Sequence, residues 1–315
     1  MDDIMVSVCC LAYNHEKYIR KTLEGFVHQK TNFKYEVLIH DDASTDATAD
    51  IIREYEEKYP DIIKPIYQTE NQYSKRVRIN QTYIYPRTRG KYIAFCEGDD
   101  YWTDENKLQK QVDLLESNPQ YIACVHRYVV VNENDEEQQV KTFGYYENGG
   151  VYTFDDFFTN NLPSQLATLL MHNIFKDKDK GYPESLVEIK LPGDIKLFLV
   201  LLVHGDIYRM EDVMSAYRFI SESGGQSYSS KIRKKAINYK YWLNVVLLEE
   251  LLHDEYGLDV YFKQRRLEFA LGTIKDLKKG FNFQNIKNAV FVTLKQRGTI
   301  RAFLKELFRF IRKGE

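Results

Sequence analysis

The 315 residues contain no stretch of about 18 consecutive apolar residues, the length needed to cross a bilayer as a helix. The longest candidate, Ile195–Gly205 (IKLFLVLLVHG), breaks off too early, so no transmembrane helix is expected. Cysteine is scarce: Cys9, Cys10, Cys96 and Cys124 each lie in an apolar run, and none has metal-ligand spacing. That usage excludes a disulfide framework and points to reduced core thiols in a reducing compartment. Proline is also rare, at 7. Neither sign of charge dominates: 44 Lys and Arg stand against 46 Asp and Glu, for a net charge of −2. No whole-chain excess therefore favours nucleic acid, and no nucleic-acid partner is expected. The start, MDDIMVSVCC, is acidic and runs straight into a strand, unlike a secretory signal, so a cytoplasmic location is expected. What is plentiful is core material. Apolar residues make up 43% of the chain, which excludes wholesale disorder. The length allows two domains, or one α/β domain with an appendage.

Over the first two thirds, short apolar runs alternate with amphipathic segments. Strands are predicted at 5–13, 35–42, 62–68 and 91–100, and helices at 16–29, 46–59 and from Lys107 to Asn118. The last helix shows its apolar stripe at Leu108, Val112 and Leu115, with Thr103 as the expected N-cap. Strand–helix alternation of this length implies βαβ units and a mainly parallel sheet. Beyond about residue 120 the pattern turns to antiparallel strands, with 206–220 read as two short ones. SESGGQSYSS (221–230) is the best linker signal, and the remainder looks helical.

In parallel α/β sheets, ligands sit outside the C-terminal strand ends. Here those ends carry Tyr13-Asn14, Asp41-Asp42 and Glu97-Gly98-Asp99-Asp100. Several carboxylates crowded together repel, and a set of hard oxygen ligands without His or Cys among them favours a divalent cation such as Mg²⁺ or Mn²⁺. The same acids would also serve as an acidic turn before a helix. Likewise, HDDASTD (40–46) fits a base- or ribose-binding strand end or a helix-capping turn. Tyr13 fits a base-stacking ring or a packing residue.

Taken together, VSVCCLAYNHEKYIRKTLEGFVHQ, EVLIHDDASTDAT and GKYIAFCEGDDYWTDENKLQKQ, in this order and spacing, resemble the family-2 glycosyltransferases of the GT-A fold. The resemblance covers about residues 4–220 and is strongest over 4–120. It implies a Rossmann-like nucleotide-binding sheet flanked by helices, with a GT-A catalytic domain over 1–225 and a helical region over 226–315. The nucleotide-sugar half would span about 1–118 and the acceptor half 119–225. The activity implied is inverting, metal-dependent transfer from a nucleotide-diphosphate sugar, UDP-linked by family frequency, to a glycan or lipid-linked acceptor hydroxyl in bacterial surface polysaccharide synthesis. A catalytically silent sugar-nucleotide-binding protein of the same fold is the alternative.

Carried over by position, the resemblance assigns Tyr13, Asp41 and Asp42 to the base. It places Asn71 at the start of a loop over the nucleotide, with Lys75, Arg76 and Arg78 near diphosphate oxygens. Glu97 falls at the ribose, replacing the commoner Asp. Asp99 becomes the ligand to Mn²⁺ or Mg²⁺, assisted by Asp100. Asp194, at a late helix start, matches the general base, although it would equally serve as that helix's cap; Asp206 is a weaker rival. Tyr217-Arg218 match the family's Tyr-Arg segment, with Arg218 either a diphosphate clamp or a buried ion-pair partner. Ile220-Ser221 stand where many relatives carry a further His. His172 and His204 read as core or surface histidines. Finally, 297–313 form a basic amphipathic pattern, with Ile300, Phe303, Leu304, Leu307, Phe308 and Ile311 on one face. That face would meet the inner leaflet of the plasma membrane as a peripheral anchor, the catalytic domain, or a second copy in a homodimer.

Overall fold

A computed structural model describes residues 4–139, 148–159, 162–176, 183–220 and 244–262, with single positions at 266, 272, 284 and 287. The linker at 221–230 and the basic pattern at 297–315 lie outside the described residues. The chain divides into two compact units. The first comprises Met1–Thr153, Leu162–Gly181 and Val200–Ser221; the second comprises Phe154–Asn161, Tyr182–Leu199 and Glu222–Glu315.

The first unit is built on one mixed sheet. Its strands are β1 (Ile4–Ala12), β2 (Lys34–Asp41), β3 (Ile63–Tyr67), β4 (Tyr92–Phe95), β5 (Tyr101–Trp102), β6 (Tyr121–Val131), β7 (Gly150–Tyr152), β8 (Leu170–His172) and β9 (Asp206–Arg218). The order is β3-β2-β1-β4-β8-β6-β9-β5, with β7 also on β9. The β3-β2-β1-β4 half is parallel throughout. β8 runs antiparallel between β4 and β6, which restores β6 and its parallel neighbour β9 to the direction of β1. The C-terminal ends of β1, β2, β4, β6 and β9 therefore share one edge.

β1 and β2 carry the apolar runs Val8–Ala12 and Val37–Ile39 because both sheet faces are covered. Helices α1 (Ile19–Val27), α2 (Thr48–Lys58) and α3 (Lys107–Ser117) flank the sheet. α1 buries Ile19, Thr22, Leu23 and Phe26, the i, i+3, i+4, i+7 stripe of an amphipathic helix. α3 buries Leu108, Val112 and Leu115 as predicted, and also Lys107 and Gln111. Its N-cap position is Asn106 rather than Thr103, and the Asp104 carboxylate accepts the Asn106 N–H at 2.8 Å. All four cysteines are free and buried, and burial pushes their thiols up.

The two short strands expected over 206–220 are one strand of 13 residues. Glu211 and Asp212 interrupt the apolar pattern without ending the strand. The register against β6 shifts between Val125 and Arg127, whose partners are Arg209 and Val213, so the charged residues lie on an irregularity. At the edge opposite the acidic loops, Glu36 and Ser7 form a buried knot. Ser7 Oγ donates to Glu36 at 2.7 Å, and the Arg89 Nε to Glu36 at 2.7 Å. A Cβ on Gly90 would lie 2.4 Å from the Ser7 nitrogen, so only glycine fits there.

The second unit contains α4 (Phe154–Thr159), α5 (Glu184–Glu188), the start of α6 (Gly193–His204) and α7 (Val245–Tyr256). Phe157 meets Phe262 edge-on at 6.2 Å, and Ser185 donates to Glu255 at 2.8 Å. No helix among the described residues is long and apolar enough to cross a membrane.

Candidate active site

Backbone hydrogen bonds bring the three sequence clusters to one edge. The Gly98 N–H donates to Leu11 at 2.9 Å and the Asp42 N–H to Ala12 at 3.0 Å, so Tyr13, Asp42 and the acidic turn flank the end of β1. The β1–α1 and β2–α2 loops are then laced together. Asn14 N–H donates to Ser44 Oγ at 3.0 Å, and Thr45 N–H returns to Asn14 Oδ1 at 2.8 Å. His15 N–H reaches Thr48 Oγ1 at 2.8 Å, Glu16 N–H reaches Asp46 at 3.1 Å, and Ala47 N–H reaches Glu16 at 3.1 Å. The Ser, Thr and Asp residues that resemble a capping turn thus hold the neighbouring loop.

Four non-glycine residues among those described have positive φ: Asn14 (55°), Ala43 (59°), Arg76 (61°) and Asp135 (65°). All four lie in loops at this edge. Each such conformation costs on the order of 1–3 kcal/mol and persists only where the surroundings over-determine it.

The acidic turn is gripped from three sides. Below it, the Thr22 hydroxyl of α1 lies 2.6 Å from the Asp100 carbonyl oxygen and 3.1 Å from that of Gly98. Beside it, Gly98 leaves no room for a side chain: a Cβ would stand 2.7 Å from His15 Nδ1. From β9, the Arg218 N–H donates to Asp100 Oδ1 at 2.7 Å and the Arg218 Nε to the Asp99 carbonyl at 2.9 Å. Thr22 was missed in the sequence, although a polar residue on the apolar stripe of α1 was its signal.

Glu97 is exposed, Asp99 half-buried and Asp100 buried. Burial, and after it the charge of Asp99, pushes the Asp100 carboxyl well above the usual carboxylate range. Asp100 is directed to β9 through Arg218. The Asp99 carboxylate accepts no hydrogen bond among the described residues, which leaves its lone pairs available. A hard cation at Asp99 would offset its repulsion of Asp100, so these oxygen donors fit Mg²⁺ or Mn²⁺. No group of three His, Cys, Asp or Glu that could hold a metal is gathered among the described residues. A single carboxylate suits a cation that completes its shell with substrate phosphate and water.

Other predicted residues carry different loads. Both Asp42 carboxylate oxygens accept backbone N–H groups, from Gln72 at 2.7 Å and Tyr73 at 3.0 Å. Asn71 Nδ2 donates to the Asp42 carbonyl at 3.1 Å. Asp42 and Asn71 therefore hold the 71–78 loop against β2. Asp41 Oδ2 accepts Ser44 N–H at 3.3 Å, whereas its buried Oδ1 has no partner among the described residues. Tyr13 is 41% exposed, available for stacking. On the loop, Lys75 pairs with Glu70, while Arg76 is exposed with no ion-pair partner among the described residues.

Arg218 has the surroundings of a buried ion-pair partner. Its side chain is 2% exposed. Besides the Asp99 carbonyl, it donates to the Asn132 carbonyl at 2.6 Å and to Asp135 at 2.5 Å, and its guanidinium lies 4.2 Å from the Tyr18 ring centroid. Those donors meet protein acceptors in this structure. Lys21 supports the same acid, pairing with Asp135 at 2.9 Å.

Asp194 lies in the second unit, in the first turn of α6, where its Oδ1 accepts the Ile195 N–H at 2.8 Å. Burial pushes its carboxyl up. Asp206 opens β9, some 12 residues before the acidic edge and hence roughly 35–40 Å from it along the strand, which removes it as the rival base. His172 likewise lies at the far edge, opposite Tyr92 at the start of β4, with the ring centroids 4.8 Å apart.

A parallel β3-β2-β1-β4 half, a returning antiparallel strand and an acidic turn at the shared C-terminal edge define a GT-A fold. Residues 7–176 match Glycosyl transferase family 2, and the chain belongs to that family. A Mycobacterium tuberculosis protein of uncharacterized function is 46% identical over 129 residues, 41% of this chain; the match spans 36% of that protein's length, little more than a third. The putative teichuronic acid biosynthesis glycosyltransferase TuaG of Bacillus subtilis is 27% identical over 222 residues, 70% of this chain and 81% of TuaG. The Escherichia coli UDP-Glc:α-D-GlcNAc-diphosphoundecaprenol β-1,3-glucosyltransferase WfaP is 31% identical over 125 residues, 40% of this chain and 47% of WfaP. Among solved structures, Staphylococcus aureus TarS 1-349 in complex with UDP-GlcNAc superposes with a TM-score of 0.59 at 17% identity, covering 92% of this chain and 80% of that one. The last likeness concerns the fold.

Proposed function

We propose that this protein is an inverting glycosyltransferase that moves a sugar from a UDP-linked donor to a hydroxyl of a glycan or lipid-linked glycan in bacterial surface-polysaccharide synthesis. The observation that carries this reading is the open Asp99 carboxylate on a turn held rigid at the C-terminal edge of a family-2 sheet. The named activities of TuaG and WfaP, and the UDP-GlcNAc held by TarS, support the donor and acceptor classes.

In this reading the uracil stacks on Tyr13, at the strand end that carries Asp41. Asp42 and Asn71 act indirectly, by holding the loop that presents Arg76 to the diphosphate. Glu97 meets the ribose. Asp99 would hold Mn²⁺ or Mg²⁺, which when bound supplies charge neutralisation to the leaving diphosphate. Asp194 takes the proton from the acceptor hydroxyl as its oxygen attacks the anomeric carbon from the face opposite the diphosphate, which inverts that centre. A carboxyl pushed up by burial is a better base for this task than an ordinary one.

The test is a screen of nucleotide-sugar donors by nucleotide release, with Mn²⁺, with Mg²⁺ and with EDTA, on wild type and Asp99→Asn. Release with one donor, lost in EDTA and in Asp99→Asn, is the expected result. Full activity in EDTA would overturn the metal requirement. UDP binding with no turnover of any donor and acceptor would favour the catalytically silent alternative.

A further inference from the structure

Directly behind the acidic turn, α3 begins with a lysine that the proposed reaction does not use. Lys107 is fully buried. Its Nζ donates to Gln111 Oε1 at 2.7 Å and lies 4.1 Å from the centroid of the Trp102 ring. Among the described residues, no carboxylate pairs with it. An ammonium taken out of water normally demands a counter-charge. Here an aromatic face and one amide oxygen take that place.

Each of those two partners is itself fixed. Gln111 Nε2 donates to the Thr168 carbonyl at 2.9 Å, which ties α3 to the chain entering β8. Trp102 Nε1 donates to the Ala167 carbonyl at 3.1 Å, in the same short segment. The Trp102 ring meets Phe26 edge-on at 4.8 Å, and its backbone passes so close to Gly25 of α1 that a Cβ there would sit 3.1 Å from the Trp102 oxygen. Trp102 is two residues beyond Asp100 and pairs with Ser215 of β9, so its position sets where the acidic turn leaves the sheet.

We propose that Lys107, acting through the ring of Trp102, is a positioning residue for the acidic turn at Glu97–Asp100, and that gain or loss of its proton tightens or loosens that turn. Its relevance to donor binding rests on the glycosyltransferase reading above.

The surrounding groups leave Lys107 as the one poised to change charge. Burial pushes it down from its ordinary value to about 7. Cys96, after β4, is pushed well up by burial, and Cys124 on β6 to about 12, so both thiols stay protonated. His126, also on β6, is pushed well down by burial, and then by Lys107, so it stays neutral. Lys110, a turn further along α3, is held charged by Asp104 and Asp212. Burial pushes the Asp100 carboxyl well up, and its charge reaches Cys96. Substitution of Lys107 separates its titration from theirs.

The cation exists below about 7, so the ring is gripped on the acid side and released as pH rises through that value. The test uses the full chain with Trp242→Phe, which leaves Trp102 as the single tryptophan of the two in the sequence. Its emission should titrate with a midpoint near 7. Hydrogen exchange of the 97–102 amides, corrected for the intrinsic pH effect, should quicken about tenfold across the same range. With Lys107→Met added, the emission should be flat and exchange fast at every pH. Loss of a merely structural residue would quicken exchange without removing a titration. A flat emission in the Lys107-containing protein overturns the proposal, and needs no second variant to fold. A titration that survives Lys107→Met assigns the proton to another group and overturns it equally. Neither measurement needs a nucleotide, so an empty donor screen would fail the glycosyltransferase reading while leaving this result to stand separately.

Discussion

Replacing Arg218 with methionine distinguishes its two sequence readings. The substitution keeps much of the side-chain volume and removes the guanidinium. It takes one hydrogen bond from the Asp99 carbonyl (2.9 Å), one from the Asn132 carbonyl (2.6 Å) and one from Asp135 (2.5 Å), together with the cation over Tyr18. Asp135 keeps Lys21, but the two carbonyls lose a donor in a site where the arginine side chain is 2% exposed. Each orphaned acceptor costs about 1–3 kcal/mol, and breaking a buried charged network costs about 3–5 kcal/mol in all. Taking about 4 kcal/mol, and roughly 2–4 °C per kcal/mol for a unit of this size, the apparent Tm should fall by roughly 8–16 °C. Differential scanning calorimetry reads this directly, with UDP binding followed by titration calorimetry below the lowered Tm. Arg218→Lys, which keeps the charge but not the planar fork, should recover less than half of the loss. A variant whose Tm moves by less than about 2 °C while UDP affinity falls tenfold would refute the reasoning and return Arg218 to the diphosphate.

Asp194→Asn keeps the helix-start geometry but cannot take a proton, so turnover should fall roughly 10²–10⁴-fold with UDP affinity almost unchanged; turnover within about threefold of wild type would make Asp194 a cap alone. Because burial raises its carboxyl above the ordinary 3.8 and the base acts when ionised, the acid limb of wild-type kcat should lie above that value, with activity lost as pH falls through it. Gly98→Ala should cost about 1–3 kcal/mol through overpacking, since its Cβ would meet His15 Nδ1 at 2.7 Å. Adding His15→Ala should restore part of that Tm, whereas strictly additive losses would show that the crowding lies elsewhere.

The parallel half of the sheet was legible because its strands are buried on both faces and its helices present regular stripes. The grouping of Tyr13, Asp42 and the acidic turn followed from strand direction alone. What each acid does was not legible. Asp42 looks like a ligand residue in the sequence, but its two oxygens are taken by Gln72 and Tyr73, 30 positions away, which no local pattern reports. β9 read as two strands because Glu211 and Asp212 break the alternation, while the shift in pairing that tolerates them is a property of its partner β6. Lys107 and Gln111 were not named beside the stripe of Leu108, Val112 and Leu115, since a polar side chain gives no apolar signal and the indole opposite comes from another element.

The lacing of the β1–α1 and β2–α2 loops bears on how this scaffold can be altered. Donor preference in such a site invites loop grafting from a relative with another specificity. Here five hydrogen bonds join a backbone N–H of one of the segments 13–18 and 42–48 to a side chain of the other. A graft carrying either segment alone would strand donors and acceptors in pairs. The two loops, about 30 residues apart in the chain, are therefore best moved together, so that each N–H keeps the side chain it meets.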